Sequence, residues 1–453
     1  MTTMIYNLPR DLIEEIISRL PLKSMKAVRL TCKSWSNLSQ SESFKKLHIG
    51  KVTTPTREGE TMMIFAMRPD SFCLMSGVVD VDPSIKRKGQ LSFLYKVSVS
   101  TIYHYEGLIL CKLKDVNKVM VWNPYLGQTR WINLRYSHLI EGFNRYSYAL
   151  GYEDKESCRT VKLLRFLDYF FNAPETQFFW YEIYDFDSCL WKTLDVTPYW
   201  GIYCSSRSVS LKGNSYWCAT KRSSEGRKDH IICFDFTKER FGPLLPLPSS
   251  VRDRKYIYVN LSCVKEEKLA ALFQHRESYE RDLEIWITTK IEAEMVSWIK
   301  FLRIDTGPKV NVPGSFFIDE EKKVYMGFCT DYNSDSDECP RKFINIIGEA
   351  GYFKKLDLGV PVYQNHWPDV CSYAPSLVQI KKLARGKRIK QRSLEKHRFD
   401  QNRLRLAARV EFWKRFEVLL EPYGNACIVM PILQDSKHNI TKSLLEFIVT
   451  FLQ

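Results

Sequence analysis

Residues 208–220 read SVSLKGNSYWCAT, and this short stretch shows the pattern on which the fold depends. Two runs that contain Val, Leu, Tyr and Trp flank the turn residues Lys212, Gly213 and Asn214. β-branched and aromatic residues favour strands, and a Gly-Asn pair between two such runs favours a tight turn. The stretch therefore predicts a β-hairpin.

Similar patterns recur throughout residues 101–380, where turn residues separate short runs rich in Val, Ile, Phe, Tyr and Trp. Five equivalent positions follow one another at intervals of 62, 50, 52 and 60 residues: Trp122, Tyr184, Phe234, Trp286 and Ile346. A unit of about 50 residues with four strands is the period of kelch-like propeller blades. Only the neighbours around a ring can cover both apolar faces of such a sheet. The pattern predicts a propeller-like domain, and a β-sandwich or a pair of sandwiches is the alternative.

The first 40 residues or so have a different pattern, with the period of a helix. In NLPRDLIEEIISRLP, residues 7–21, the apolar side chains form one helical stripe: Leu12, Ile13, Ile16, Ile17 and Leu20. Pro9 suits the first helical position, and Pro21 ends the helix. Two further short helices are predicted at residues 21–31 and 33–39. So small a bundle cannot bury all of its apolar side chains, and the surplus face docks either on this chain or on a partner.

Residues 8–38, LPRDLIEEIISRLPLKSMKAVRLTCKSWSNL, resemble the plant F-box, whose pattern is Leu-Pro-x-Asp-Leu, Ile-Leu-x-Arg-Leu-Pro, Lys-Ser and Arg-x-x-Cys-Lys-x-Trp. The chain departs from the family at residues 41–44, which lack the Asp-Pro that often precedes the closing Phe, and at Met25, where Leu is usual. The resemblance implies binding of a Skp-type adaptor. The candidate adaptor-binding residues, which the resemblance divides between the small core and the binding face, are Leu8, Pro9, Leu12, Ile16, Leu20, Pro21, Leu22, Val28 and Trp35.

The middle of the chain resembles the type 1 F-box-associated interaction domain of plant F-box proteins. The resemblance rests on VWNP at residues 121–124, ALGY at 149–152, SLKGNSYW at 210–217 and SYAPSL at 372–377. Both resemblances together imply a substrate receptor of an SCF-type ubiquitin ligase. The F-box binds the adaptor and, through it, cullin and RING subunits, while the β domain binds an unidentified target protein. No catalytic residue is implied, because ubiquitin transfer belongs to other subunits.

Composition and motifs limit the other classes of function. The 453-residue chain is 45% hydrophobic, has no run of 18 uncharged apolar residues and does not begin like a signal peptide, so we expect a cytoplasmic and/or nuclear protein without a membrane partner. The 13 cysteines are scattered without a Cys-x-x-Cys pair, and phosphate-loop and zinc-protease motifs are absent, so no metal and no cofactor are expected. The acid pairs Asp185 with Asp187 and Asp335 with Asp337 are interpreted as turn residues.

The positive charge is concentrated near the C-terminus. The formal charge of the chain is +15, and residues 381–415 carry 14 Lys or Arg and three acids, a local +11 that leaves +4 for the rest. This distribution argues against nucleic acid as a partner of the whole protein. Apolar residues recur there at helical spacing: Leu406, Val410, Trp413, Phe416 and Leu420. A basic amphipathic helix that docks on the body or extends from it is favoured over a localisation signal, a partner helix or a phosphate-binding patch.

The sequence thus predicts an α+β multidomain chain. A three-helix F-box and a mostly antiparallel all-β propeller-like domain precede a basic, partly helical extension. The predicted boundaries are 1–48 for the F-box, 49–100 for a linker and the first strands, 101–380 for the β domain and 381–453 for the extension. The alternative function is a propeller that binds a ligand or glycan, or a nucleic-acid-associated protein, with the helices packed on the body. Substrate-binding residues are not identified, although YWGIY at residues 199–203 is a candidate for an exposed recognition face.

Overall fold

The N-terminal helices form a small unit with a core of its own. In the computed structural model they are α1 (Arg10–Ser18), α2 (Met25–Thr31) and α3 (Lys33–Gln40). Their shared core consists of five buried side chains: Ile17, Met25, Val28, Leu38 and Phe44. The structure describes residues 8–20, 24–41, 43–44, 47–48, 60–68, 71–78, 84–91, 99–113, 117–136, 146–155, 158–169, 178–202, 207–221, 229–248, 256–265, 267–275, 283–304, 315–331, 341–349, 352–361, 370–376, 378–380 and 391–420.

Twenty-six strands follow in the described part of the chain. The first seven are β1 (Glu60–Arg68), β2 (Ser71–Val78), β3 (Ser84–Leu91), β4 (Val99–Tyr105), β5 (Leu108–Leu113), β6 (Lys118–Asn123) and β7 (Gln128–Asn133). The next ten are β8 (Ser147–Lys155), β9 (Cys158–Tyr169), β10 (Phe178–Asp185), β11 (Trp191–Leu194), β12 (Trp200–Ile202), β13 (Val209–Leu211), β14 (Asn214–Lys221), β15 (Asp229–Asp235), β16 (Arg240–Phe241) and β17 (Leu245–Pro246). The last nine are β18 (Tyr256–Val264), β19 (Lys268–His275), β20 (Leu283–Ile291), β21 (Val296–Ile304), β22 (Ser315–Asp319), β23 (Val324–Asp331), β24 (Arg341–Gly348), β25 (Phe353–Pro361) and β26 (Val370–Ser372).

These strands form six antiparallel sheets within the described residues. Sheet 1 has the order β26-β1-β2-β3, sheet 2 contains β4 to β7, and sheet 3 contains β8 to β11. Sheet 4 contains β12 to β17, sheet 5 β18 to β21, and sheet 6 β22 to β25. In sheet 4 the innermost position is shared by β12 and β13, which both pair with β14. Residues 60–91, which the sequence analysis placed with the linker and first strands, thus supply three strands of sheet 1.

The six sheets close into a ring, which confirms the propeller rather than the sandwich. The inner strands contact one another around the ring in the order β26, β4, β8, β13, β18, β22 and back to β26. Strand β26 closes the ring by pairing with β1, where Met63 lies opposite Ser372 and Phe65 opposite Val370. The five equivalent positions of the sequence repeat lie in β6, β10, β15, β20 and β24, each the third strand from the centre of its sheet.

The two ends of the ring differ in the length of their connections. Antiparallel strands alternate in direction, so the hairpins between strands one and two and between strands three and four lie at one end. In sheets 3 to 6 these hairpins have two to five residues, and we call this end the short-turn end. At the other end, the long-connection end, the links between strands two and three of the same sheets have seven to nine residues.

The inner hairpins at the short-turn end are closely packed. The backbone N–H of Gly213, in the β13–β14 turn of sheet 4, donates to Oε1 of Glu106 in the β4–β5 turn of sheet 2 at 2.6 Å. Gly213 has a φ of +80°, and a Cβ there would lie 2.6 Å from the ring of Tyr152 in sheet 3. Glycine is therefore required both by the backbone conformation and by the space available.

The C-terminal helix, α4 (Ser393–Leu420), docks on sheet 3, which is one of the two arrangements that the sequence left open. The ring of Phe399 lies 5.6 Å from that of Trp180, and Leu406 is only 2% exposed and belongs to the core of sheets 2 to 4. The side chains of the remaining stripe residues, Val410, Trp413, Phe416 and Leu420, lie outside the described residues. Helix α4 is therefore part of the propeller core in its first half.

The structure tests two further predictions about side chains, one about the exposure of residues 199–203 and one about the acid pairs. Trp200, proposed as part of an exposed face, is instead 3% exposed, because it packs against Tyr181 and Phe241. Its neighbour Tyr199 is 54% exposed. Asp185 accepts a hydrogen bond from the backbone N–H of Ser188 at 2.6 Å, as expected of a turn residue, while Asp335 and Asp337 lie outside the described residues.

Candidate adaptor-binding surface

Helix α1 divides its apolar side chains between two faces. It begins at Arg10, after Pro9 with φ of −52°, and ends at Ser18. Ile17 is 1% exposed, and Ile13 packs partly buried against the same core of the N-terminal helices. Leu12 and Ile16, one turn apart, are 47% and 45% exposed. The single apolar stripe predicted from the sequence is thus divided into an inner edge that forms the core and an outer edge that faces solvent.

The other candidate adaptor-binding residues have different environments. Val28 lies in the core and is 5% exposed, while Leu20 and Trp35 pack against that core as partly buried residues. Leu8 is partly buried and Pro9 is exposed. Pro21 and Leu22 lie outside the described residues. Their assignment to the adaptor stays a prediction, and Leu12, Ile16 and Pro9 are the members with the exposed surface it requires.

Two exposed leucines were not among the sequence candidates. Leu30 in α2 is 77% exposed, and Leu47 is 37% exposed. The spacing of α2 contains the signal for Leu30: at 100° per residue it lies far around the helix from the buried Met25 and Val28. No comparable signal exists for Leu47, because it lies outside the three predicted helices.

A small polar joint connects these helices to the propeller. The Arg29 guanidinium in α2 donates to the backbone oxygens of Tyr125 at 3.1 Å and Leu126 at 2.9 Å, both in the β6–β7 turn. His48 lies 3.1 Å from the Tyr125 hydroxyl through Nδ1 and 2.8 Å from the Leu20 oxygen through Nε2. A carbonyl oxygen only accepts, so Nε2–H is the donor to Leu20. We call these contacts the N-terminal joint.

Burial affects the charged and phenolic groups of this joint. Burial lowers the pKa of the Arg29 guanidinium, although the side chain remains charged at neutral pH. Burial also raises the pKa of the Tyr125 hydroxyl to about 12, against the opposing effect of the nearby Arg29 charge. Tyr125 is therefore neutral at physiological pH, and its hydroxyl lies within hydrogen-bonding distance of Nδ1 of His48. The joint leaves Leu12 and Ile16 on another part of the surface.

Comparison with known families decides what this arrangement is. The family model described as "F-box domain" matches residues 5–47, and the one described as "F-box associated beta propeller domain" matches residues 62–380. The chain belongs to the F-box proteins with an F-box associated beta propeller domain. The helices α1 to α3 are thus the F-box, and sheets 1 to 6 are the associated propeller.

Curated relatives of this F-box protein share most of their length with it. F-box protein At5g41490 of Arabidopsis thaliana is 63% identical over 388 residues, which cover 85% of this chain and 98% of the relative. F-box/kelch-repeat protein At4g33290 of the same plant is 57% identical over 420 residues, with 88% and 95% covered. The name of this second relative includes a kelch repeat.

Solved structures resemble the chain only distantly. A polysaccharide lyase, Uly1, is 10% identical with a TM-score of 0.35, covering 59% of this chain and 75% of the lyase. The β-propeller domain of a Myceliophteria thermophila Cps50 (Swd1) protein is 12% identical with a TM-score of 0.31, covering 67% and 88%. Scores this low carry no conclusion about activity or ligand.

Within the described residues, no group of three or more His, Cys, Asp or Glu side chains is placed to hold a metal ion. No helix of the described chain is long and apolar enough to cross a membrane.

Proposed function

We propose that this F-box protein is the substrate-recognition subunit of an SCF-type ubiquitin ligase. The F-box binds a Skp-type adaptor, which connects it to cullin and RING subunits, and the propeller binds the target protein. The chain itself contributes binding rather than catalysis. A location in the cytoplasm, the nucleus or both is part of the proposal.

One observation carries the adaptor-binding part. Leu12 and Ile16 keep 47% and 45% of their surface exposed although the propeller is present and the N-terminal joint is formed. Complete burial of a fully exposed Leu or Ile side chain contributes about 1.5 to 3 kcal/mol, and roughly half of each side chain here is still available to a partner. An apolar partner surface that covers both side chains therefore gains a substantial part of the affinity of a stable complex.

The test is co-expression of the full chain with a plant Skp-type adaptor, followed by co-purification and calorimetric titration. We expect a stable complex with the wild-type chain. The double variant Leu12→Asp with Ile16→Asp places two charges on the proposed interface without touching the helical core. We expect it to weaken adaptor binding at least 100-fold.

The matched control is Met295→Asp with Ile299→Asp, because these side chains are 50% and 51% exposed in the propeller. The control double variant is expected to bind the adaptor within twofold of wild type. A wild-type chain that does not bind the adaptor, or equal weakening by both double variants, contradicts the proposal. Circular dichroism of each variant verifies that it is folded.

A further inference from the structure

A cavity lies between sheets 4 and 5 at the short-turn end of the propeller. Its volume is about 380 Å³, within the range of roughly 300 to 1,000 Å³ that is typical of small-molecule sites. The β13–β14 and β18–β19 turns line it, together with the end of β20 and the β20–β21 turn. Two of its lining side chains, Tyr216 and Thr288, are only 2% and 1% exposed. We call this space the sheet 4–5 cavity.

The side chains that line the sheet 4–5 cavity are mainly charged or polar, and five of them are charged. Three of the five are already in ion pairs. The Lys290 ammonium lies 3.2 Å from the Glu292 carboxylate, and the Lys268 ammonium lies 2.7 Å from a glutamate of sheet 6. Lys212 and Glu267 differ, because within the described residues neither side chain has a hydrogen-bond or ion-pair partner. One positive and one negative charge therefore remain available to a ligand.

Opposite charges on the inner turns pair directly at the next sheet boundary. Between sheets 5 and 6, Lys265 of the β18–β19 turn pairs with Glu321 of the β22–β23 turn. Between sheets 4 and 5, Lys212 of the β13–β14 turn and Glu267 of the β18–β19 turn both line the cavity and form no such pair. A ligand that carries both signs of charge can therefore connect these two turns as the direct ion pair connects sheets 5 and 6.

Both turns are fixed by backbone hydrogen bonds. In the β13–β14 turn, the backbone oxygen of Gly213 accepts a hydrogen bond from the N–H of Tyr152 at 3.2 Å. In the β18–β19 turn, the N–H of Glu267 donates to the backbone oxygen of Val264 at 3.0 Å. The backbone positions from which the Lys212 and Glu267 side chains extend are therefore set before a ligand binds, and this lowers the entropic cost of binding.

The size of the cavity and its two available charges indicate the class of ligand. A sphere of this volume is roughly 9 Å across. In an α-amino acid the ammonium and carboxylate are about 3 Å apart, and a charge-assisted hydrogen bond at each end adds about 2.8 Å. We propose that the sheet 4–5 cavity binds a small zwitterion of the amino-acid class, with its carboxylate on Lys212 and its ammonium on Glu267. This site goes beyond the proposed function, because it involves neither the adaptor nor the F-box.

The test uses the full chain alone, without an adaptor, and four related probes at pH 6.5. L-glutamine carries both charges, N-acetyl-L-glutamine only the carboxylate, L-glutaminamide only the ammonium, and N-acetyl-L-glutaminamide neither. Ligand-detected NMR titrations are expected to show L-glutamine bound at least tenfold more tightly than each of the other three, since a probe with one charge leaves a protein charge unpaired. The affinity for L-glutamine is expected to fall as salt rises, because exposed charges are screened.

Matched double variants locate the binding site. Lys212→Gln with Glu267→Gln removes one charge of each sign, so the net charge is unchanged, and we expect it to weaken L-glutamine binding at least tenfold. Lys323→Gln with Glu349→Gln removes an exposed ion pair at the short-turn end of sheet 6 and also keeps the net charge. This control is expected to bind L-glutamine within twofold of wild type. Circular dichroism and the urea midpoint of each variant verify that it is folded.

An exchange of the two charges separates their electrostatic role from packing. Lys212→Glu alone and Glu267→Lys alone each place two like charges at the cavity, and we expect both to weaken L-glutamine binding at least tenfold. The combined variant restores opposite charges in reversed positions. It is expected to bind L-glutamine at least fivefold more tightly than either single variant, because the zwitterion can bind in the reversed orientation.

Four results would overturn the zwitterion site. They are no binding of L-glutamine to the wild-type chain, equal binding of L-glutamine and N-acetyl-L-glutamine, equal weakening by the cavity variant and its sheet 6 control, and no recovery on charge exchange. Equal binding of the two probes would make the cavity an anion site that uses its lysines. Because no adaptor takes part, each of these results is obtained whether or not the F-box binds one.

Discussion

The two helical attachments of the propeller differ in what holds them. The F-box has its own core and contacts sheet 2 through the N-terminal joint, which consists of a few hydrogen bonds around Arg29, His48 and Tyr125. Helix α4 has no separate core in its described part and inserts Leu406 into the core of sheets 2 to 4. One attachment is a contact between two folded units, and the other is an extension of a single unit. We therefore expect that the N-terminal joint can open without unfolding the propeller, whereas helix α4 cannot detach without disrupting the propeller core.

The buried charges beneath α4 make this difference larger. Glu182, 1% exposed, accepts hydrogen bonds from Arg165 at 2.9 Å and Arg135 at 2.8 Å. Arg135 in turn donates to Glu395 of α4 at 2.6 Å, and Thr193 donates to the same carboxylate through its backbone and its hydroxyl. We call this group the α4 ion network. Such a network is costly to break, because removing one member leaves another charge buried without compensation.

The largest expected effect is from Glu395→Gln. The change keeps the shape of the side chain but removes the negative charge that compensates Arg135, and we expect the free energy of unfolding of the propeller to fall by about 4 kcal/mol. Urea denaturation followed by tryptophan fluorescence measures it. Glu294→Gln, at an exposed acid in the β20–β21 turn, is the control and is expected to change stability by less than about 0.5 kcal/mol. Similar stability of the two variants would show that α4 is not joined to the core.

A smaller effect concerns the pH dependence of the same region. Lys112 is 7% exposed, and burial together with the nearby Arg165 charge lowers the pKa of its amine to about 8. The unfolded chain has a lysine pKa of about 10.4 and therefore holds the proton more tightly above pH 8. The unfolding free energy should thus rise with pH from about 8 towards 10, because in this range only the unfolded state keeps the lysine proton bound.

The measurement compares wild type with Lys112→Met by denaturant unfolding between pH 7 and 9.5. The unfolding free energy of wild type is expected to rise by roughly 2 kcal/mol relative to the variant across this range. Each pH unit over which the two states differ by one proton corresponds to about 1.36 kcal/mol. The variant is expected to be the more stable of the two at pH 7. Parallel pH profiles of the two proteins would contradict the burial of a charged Lys112. The N-terminal joint is expected to show no such pH dependence in this range. Burial raises the pKa of Tyr125 to about 12, so its hydroxyl stays protonated.

The smallest expected effect is at the N-terminal joint. Arg29→Ala removes two hydrogen bonds from a charged donor to neutral carbonyls; because the guanidinium is only partly buried and water can replace it, we expect a net change of about 1.5 kcal/mol for the two together. Hydrogen exchange is expected to accelerate in α2 and in the β6–β7 turn while the denaturation midpoint of the propeller stays constant. Arg19→Ala, at an exposed arginine that pairs with Glu15, is the control and should leave exchange in that turn unchanged. A fall in propeller stability as large as that of Glu395→Gln would erase the contrast between the attachments.

Sequence reasoning succeeded where the signal is local and periodic. The intervals between Trp122, Tyr184, Phe234, Trp286 and Ile346 identified equivalent third strands in five sheets, because each sheet repeats one arrangement of apolar residues. Sheet 1 has no position in this series of five. Its innermost strand, β26, comes from the other end of the domain, and β1 to β3 alone present no complete four-strand unit.

The candidate site shows the same limit on a smaller scale. Leu12, Ile16 and Ile17 are similar in type and fall on one stripe of α1, yet Ile17 is buried and the other two are exposed. Trp200 and Tyr199 are adjacent aromatics, and only the second is exposed, because Trp200 fills space between Tyr181 and Phe241. Residue type alone does not tell which of two such neighbours is buried, since burial depends on which other element packs against each side chain.

By itself, the sequence determined the three short helices, the repeated four-strand unit and the basic C-terminal helix, because these depend on spacing along the chain. The tertiary structure alone decided the closure of the ring, the contact of the F-box with the β6–β7 turn and the docking of α4 on sheet 3. Those features depend on contacts between residues far apart in sequence, such as Arg29 with Leu126 and Glu395 with Arg135. Periodicity describes which face of an element is apolar, and only packing determines what covers it.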